Sequence, residues 1–173
     1  MQVWKSKLAD ESRLRDYVGD RDFLDCYTVD TRRKDVEIED VVQRLFLDFP
    51  VWIQALLNIR DGVVRLFGLK TTAGLPTDMS YRDALQVGDQ VNFFRVQSIE
   101  PDEIIVGEND SHLDFKIAIR KDRQQPEKIS LSTWVHPHNL VGRVYLRLIL
   151  PFHIWIVTSR GFLPEKASSI FQS

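Results

Sequence analysis

The stretch EIIVGENDSHLDFKIAIR, Glu103–Arg120, decides the fold because two alternating segments flank one turn signal. Its second half places large apolar residues at every second position: Leu113, Phe115, Ile117 and Ile119. That period is typical of a strand with one buried face. Asn109 and Asp110 suit the positive φ angles of a two-residue hairpin turn. The stretch therefore predicts two antiparallel strands joined at Asn109-Asp110.

Side-chain faces then predict the pairing, because a one-residue slip turns every side chain over. A turn at Asn109-Asp110 pairs Val106 with Leu113, Ile104 with Phe115, and Glu103 with Lys116. A second connection near Gln124 pairs Leu113 with Val135, Ile117 with Leu131, and Ile119 with Ile129. Both hairpins place His112, Asp114 and His136 on the opposite, outer face.

The rest of the chain completes an α+β pattern. Residues 23–30 favour a first strand, and residues 35–46 and 51–69 carry apolar residues at helical spacing. A four-strand meander follows from residue 91 to residue 135. A long helix then runs from about 141 to 162, with an apolar side that we expect to be buried against the sheet. Helices after a first strand, then a meander and a terminal helix, predict a helix-grip architecture: a curved antiparallel sheet wrapped around the C-terminal helix.

Composition narrows the classes of function. The chain has 173 residues, 28% of them charged, and a formal net charge of −2, without a basic stripe for nucleic acid. We expect one domain over 1–173 with its core at about 17–165. Val144–Val157 is apolar but short for a bilayer, so no membrane span is predicted. A single cysteine and an N-terminus without an apolar leader predict a cytoplasmic protein.

The polar residues of the opening stretch could form a catalytic or metal-binding site. They fit a solvent-exposed hairpin turn better. The candidate metal ligands are His112, His136 and His138 with Asp110 or Asp114. No motif with fixed ligand spacing accompanies them, and no Walker loop, nucleophile elbow or dinucleotide fingerprint is present. No metal or cofactor is therefore predicted.

Four segments carry a resemblance to a known family. They are DYVGDRDFLDCY, FPVWIQALLNIRDGVVRLFGL, VGENDSHLDFKIAI and STWVHPHNLVGRVYLRLILPFHIWIV. Together they resemble a bacterial family of unknown function, DUF2867, over about Tyr17 to Phe162. The resemblance implies kinship with the START-like (SRPBCC, helix-grip) superfamily. Members also occur after NAD(P)-binding domains of the short-chain dehydrogenase type, so a redox-enzyme partner is one expectation. The family supplies no catalytic residues to carry over.

The leading hypothesis is a binding module for a small apolar or amphipathic molecule inside the predicted cup. The candidate lining residues are Arg95, Gln97, Phe115, Ile117, Leu131, Tyr145, Leu148, Phe152, His153 and Trp155. Arg95 and Gln97 face inward if Pro101-Asp102 form a two-residue turn that pairs Ile99 with Ile104. A slipped register turns Phe94 and Val96 inward instead. Whether the cup is an open cavity or a filled core stays open.

Two other classes of function remain. An enzyme of the cyclase or isomerase type would use Arg95, Tyr145 or His153 at pocket depth. A protein-interaction module would use Trp134 and Ile105 on the outer sheet face, for a homodimer or a redox-enzyme partner. The sequence offers candidates for catalysis but no constellation.

Overall fold

A computed structural model describes residues 3–31, 34–47, 49, 51–55, 58, 78 and 80–158. Its strands are β1 (Val3–Lys5), β2 (Phe23–Asp30), β3 (Gln90–Val91), β4 (Phe94–Glu100), β5 (Glu103–Asn109), β6 (Leu113–Lys121) and β7 (Lys128–Pro137). Its helices are a 3-10 helix (Arg13–Tyr17), α1 (Ile38–Leu47) and α2 (Leu140–Thr158), and residues 51–55 are also helical. The strands form one antiparallel sheet in the order β1-β2-β7-β6-β5-β4-β3. This confirms the predicted α+β class and is consistent with a helix-grip.

Two elements differ from the sequence prediction or lie beyond its test. The sequence pattern missed β1, which is three residues long and pairs with β2 at the sheet edge. Three residues are too few for alternation to be recognised. The second predicted helix, over residues 51–69, lies mostly outside the described residues.

The inner face of the sheet packs against α1 and forms the main core. Acidic residues in the first turn of α1 favour its start through the helix dipole, and its apolar side is buried. The core includes, from the sheet, Tyr27, Val29, Val96, Ile104, Val106, Ile119, Ile129 and Leu131, and from α1, Val42, Leu45 and Phe46.

The outer face of the sheet is covered by the chain's own N-terminal segment. Leu14 of the 3-10 helix is fully buried against Ile105, Ala118 and Trp134. Glu103 accepts hydrogen bonds from the Ser12 hydroxyl at 2.5 Å and from a backbone N–H of the same segment. Trp134 and Ile105 are therefore buried, and the prediction of an apolar partner surface there is wrong.

The predicted strand faces are correct, although both hairpin registers are wrong. Ile104 pairs with Ile119 and Val106 with Ile117, four residues beyond the predicted partners. The cause is a longer hairpin loop, in which Asn109 pairs with Asp114. In the β6–β7 hairpin, Ile119 pairs with Leu131, a shift of two. Both shifts are even, so the side chains of β5, β6 and β7 keep their predicted faces.

A β-bulge reverses the prediction for Arg95 and Gln97. Ile99 pairs with Ile104 as predicted, but the register shifts between Val96 and Ser98. The extra residue returns Val96 to the inner core and turns its two neighbours outward. Gln97 accepts a hydrogen bond from the buried Lys116 ammonium on the outer face. Burial lowers the pKa of Lys116.

Helix α2 is placed differently from the prediction. It lies against β7 through one narrow side, and only Gly142 and Val157 are buried. Its most apolar window has a mean hydropathy of 1.5 and is 11% buried. The helix is long and apolar enough to cross a membrane by length and composition alone. The expectation of a buried terminal helix is wrong, and the cytoplasmic location stays a prediction.

His112 is buried rather than on the outer surface as predicted. Its ring packs edge-on against Tyr145 of α2, with ring centroids 5.3 Å apart. Its carbonyl oxygen accepts a hydrogen bond from the backbone N–H of His138 at 3.0 Å. His112 lies in the hairpin loop before β6, where strand alternation does not fix the side-chain direction. The loop therefore folds beneath the start of α2.

Candidate functional site

The structure divides the predicted lining residues among three places. Phe115, Ile117 and Leu131 lie on the inner sheet face, as predicted. Tyr145 and His153 lie on the side of α2 that contacts the sheet. Leu148, Phe152 and Trp155 lie on the outward side of α2, each about half exposed. Arg95 and Gln97 lie on the outer face, so the ten residues do not converge on one cavity.

The inner face of the sheet is not completely buried. Ile119 and Leu113 of β6 are buried, but Phe115 and Ile117 between them are only partly buried. Since β6 is a central strand, this exposure marks an accessible apolar patch on the sheet between α1 and α2.

A histidine–aspartate pair lies at the edge of this patch. The carboxylate Oδ2 of Asp25, on β2, is 3.0 Å from Nε2 of His153. Phe23 packs edge-on against the imidazole ring with centroids 6.0 Å apart. The pair joins β2 to α2 across 128 positions of sequence. It fixes the orientation of the imidazole ring.

Two buried oxygen atoms beside the pair have no hydrogen-bond partner among the described residues. They are Oδ1 of Asp25 and Oγ1 of Thr133, whose residues are 7% and 6% exposed. Asp25 and Thr133 are direct cross-strand partners and point to the inner face. A buried polar group without a partner costs about 1–3 kcal/mol, so this arrangement needs an explanation.

The surroundings of this polar spot are apolar. Thr133 pairs with Ile117 on its other side, and Phe115 pairs with Val135 one step along the strands. Tyr27, two residues from Asp25 on the same face, is buried, and burial together with the Asp25 charge raises its pKa. Oδ1 of Asp25 and Oγ1 of Thr133 can therefore accept hydrogen bonds from a donor group, and the side chains around them are apolar. We call Asp25, Thr133 and His153 the inner polar cluster.

Sequence reasoning identified His153 but missed Asp25 and Thr133. A signal was present, because both residues fall at inward positions of FLDCYTVD and ISLSTWV, among apolar residues. An acid at an inward strand position is rarely buried without a partner. Alternation indicates the strand and its buried face, and only the polar exceptions to it point to Asp25 and Thr133.

A cleft lies at the free edge of β2, beyond the end of β1. Its volume is about 400 Å³, and it is lined by Lys5, Ser6, Lys7, Leu8, Arg15, Val18, Leu24, Asp25 and Cys26. The Arg15 guanidinium already donates to the carbonyl oxygens of Leu8 and Ala9. Burial raises the pKa of the Cys26 thiol.

Each described histidine is paired with an aspartate. The distances to Nδ1 or Nε2 are 3.4 Å for His112–Asp110, 2.6 Å for His136–Asp22, 3.1 Å for His138–Asp114 and 3.0 Å for His153–Asp25. Although burial acts to raise it, hydrogen bonds from His136, Gly19 and Trp134 hold the pKa of Asp22 below its usual value.

Among the described residues, no group of three histidine, cysteine or acidic side chains is placed to hold a metal ion. The metal hypothesis gains no support from this geometry.

Comparison with known proteins agrees with the resemblance found in the sequence. No curated protein and no solved structure is significantly similar to this chain. The profile of the family described as "Protein of unknown function (DUF2867)" matches residues 17–160, most of the chain. The protein therefore belongs to the DUF2867 family.

Proposed function

We propose that this protein is a binding module for a small amphipathic molecule, held on the inner sheet face with its polar end at the inner polar cluster. The observation that carries the proposal is Oδ1 of Asp25 beside the hydroxyl of Thr133, since neither atom has a hydrogen-bond partner among the described residues. Ligands commonly satisfy such buried groups, and ligand sites are mostly apolar with a few convergent polar groups. The kinship with START-like proteins, implied by the resemblance, is in keeping with this role.

The cluster selects a hydrogen-bond donor as the head group. A carboxylate oxygen only accepts hydrogen bonds, whereas the Thr133 hydroxyl both donates and accepts. An alcohol or an amine fits this pair, and a carboxylate head would meet the negative charge of Asp25. The accessible side chains of Phe115 and Ile117 supply a surface for the apolar body.

The ligand preference can be measured with decylamine, decanol and decanoate by calorimetry or native mass spectrometry. We expect the amine and the alcohol to bind more tightly than decanoate. The substitution Asp25→Asn removes the charge with little change of shape, and should weaken decylamine binding about tenfold, since hydrogen bonds to charged groups are the stronger ones. Equal affinity for the three probes, unchanged by Asp25→Asn, would contradict the proposal.

The unliganded protein offers an independent check through Thr133→Val. Because the hydroxyl is buried and has no partner in the part of the chain that the structure describes, its replacement by a methyl group should raise the free energy of unfolding by about 1 kcal/mol. Thr28→Val is the matched control. The hydroxyl of Thr28 donates to Ser6 Oγ at 2.9 Å, so its loss should destabilise by a similar amount. Urea denaturation measures both, and destabilisation by Thr133→Val would show that its hydroxyl is already satisfied.

A second candidate function is catalysis by the His153–Asp25 pair. A histidine oriented by a carboxylate is the arrangement of a general base. Of the residues that the enzyme hypothesis named, His153 belongs to this cluster and Arg95 lies on the outer face. Substrate turnover that is lost in His153→Gln, with ligand affinity retained, would favour the enzyme over the binding module.

A further inference from the structure

The outward side of α2 carries a continuous apolar stripe. Val144, Leu148, Phe152 and Trp155 follow one another at steps of four, four and three, so they share one helix face. Their exposed fractions are 42%, 50%, 50% and 52%. We call these four residues the α2 stripe. Exposed apolar residues scattered singly are ordinary, but a contiguous row of this kind marks an interaction surface.

The stripe continues beyond the helix. The indole rings of Trp155 and Trp52 contact each other with centroids 5.0 Å apart. Val51, next to Trp52, is 81% exposed. The apolar surface therefore extends from α2 onto the helical residues 51–55.

Positive charge borders the stripe and negative charge is absent from the helix. Arg143 and Arg147 are both exposed and lie one turn apart beside Val144 and Leu148. The sequence from Leu140 to Thr158 contains no acidic residue. Within the described part of the chain, neither arginine forms an ion pair with a carboxylate. An occupant of this surface should combine apolar groups with negative charge.

An anionic lipid surface fits these features better than a second copy of the chain. A two-fold axis at the centre of the stripe, near Leu148, would bring each Arg147 close to its symmetry mate, and like charges repel. Acidic phospholipid head groups would instead neutralise both arginines while the acyl region accepts the apolar side chains. Tryptophan suits the boundary between these two regions.

A transmembrane placement does not fit the packing of α2. Its other side is docked on the sheet at Gly142, His153 and Val157. Lipid can therefore reach only one side, and Arg147 lies near the middle of the helix. A helix with one apolar side, bordered by arginine, lies in the plane of the membrane surface.

We propose that the α2 stripe docks this protein on the surface of membranes that contain anionic lipid. The test is sedimentation of the full chain with phosphatidylcholine vesicles and with vesicles of equimolar phosphatidylcholine and phosphatidylglycerol. We expect binding to the anionic vesicles that falls as salt is raised, because part of the attraction is electrostatic. Arg143→Gln with Arg147→Gln should weaken it roughly 30-fold, about fivefold for each charge.

The apolar part is tested by L148E/F152E, with V87E as the matched control. Val87 is exposed in a loop away from α2, so a new acid there should leave vesicle binding unchanged. L148E/F152E should abolish binding without loss of thermal stability, because neither side chain is buried. Light scattering measures the oligomeric state of the wild type and of L148E/F152E. A dimer that L148E/F152E converts to a monomer, or a failure of the wild-type chain to bind either vesicle, would overturn the proposal.

Discussion

Replacement of Asp102 by alanine should lower the free energy of unfolding by about 3 kcal/mol. Asp102 accepts hydrogen bonds from Arg120 at 2.9 Å and from Arg123 at 2.8 and 3.0 Å. The side chains of Asp102 and Arg120 are 12% and 10% exposed, so the alanine variant leaves a buried guanidinium. Removal of one partner from a buried ion pair costs about 3–5 kcal/mol, because the remaining charge is desolvated and poorly compensated. Glu11, 3.4 Å from Arg120, offsets part of this cost.

The control for this prediction is Arg123→Ala. Its side chain is 66% exposed and water replaces its contacts, so the loss of stability should be much smaller than for Asp102→Ala. Urea denaturation with an unchanged slope isolates the stability effect. Similar losses in Asp102→Ala and Arg123→Ala would mean that the burial of Arg120 is not the cause.

The same carboxylate predicts a pH dependence. Hydrogen bonding by Arg123, and then by Arg120, holds the pKa of Asp102 below its usual value despite burial. A lowered folded-state pKa contributes stability above the unfolded value of about 3.9, and that stability is lost as pH falls through the folded pKa. The stability gap between the wild type and Asp102→Asn should therefore be constant above about pH 5 and shrink below about pH 3.9. A gap that widens on acidification would contradict this assignment.

The substitution Gly142→Ala should destabilise the protein by about 2 kcal/mol. In an exposed helix, alanine is more favourable than glycine by about 1 kcal/mol, so propensity alone predicts stabilisation. In this structure a Cβ at position 142 would lie closer than 3.0 Å to the carbonyl oxygen of His112. It would also press on the Pro137 side chain at 3.3 Å. Overpacking of rigid neighbours costs about 1–3 kcal/mol and more where backbone must move.

The displacement of α2 in Gly142→Ala should also disturb the inner polar cluster. Gly142 sets how closely α2 approaches the hairpin loop, and the same helix carries His153 to Asp25. Val144→Ala is the matched control, because Val144 is exposed two residues away and its loss should change stability by less than about 0.5 kcal/mol. Thermal unfolding measures both variants. A more stable Gly142→Ala protein would show that the helix does not dock this closely.

Alternation along β5, β6 and β7 carried most of the fold information. It placed Phe115, Ile117 and Leu131 on the inner face even though both hairpin registers were wrong. The register errors did not change the predicted faces, because each shift was an even number of residues. Helical periodicity likewise predicted α2, but it did not reveal which side of that helix meets the sheet. An apolar stripe at helical spacing is compatible with a core, a partner surface or a membrane.

The sequence by itself determined the α+β class, the order of the strands from β4 onward and the face of each residue in β5, β6 and β7. These properties follow from the spacing of apolar residues within a short segment of the chain. The tertiary structure alone decided the bulge at Gln97, the burial of His112, and the meeting of Asp25 with His153. These depend on loop length, strand register and helix docking. Such features arise between segments that are distant in sequence, so no local pattern encodes them.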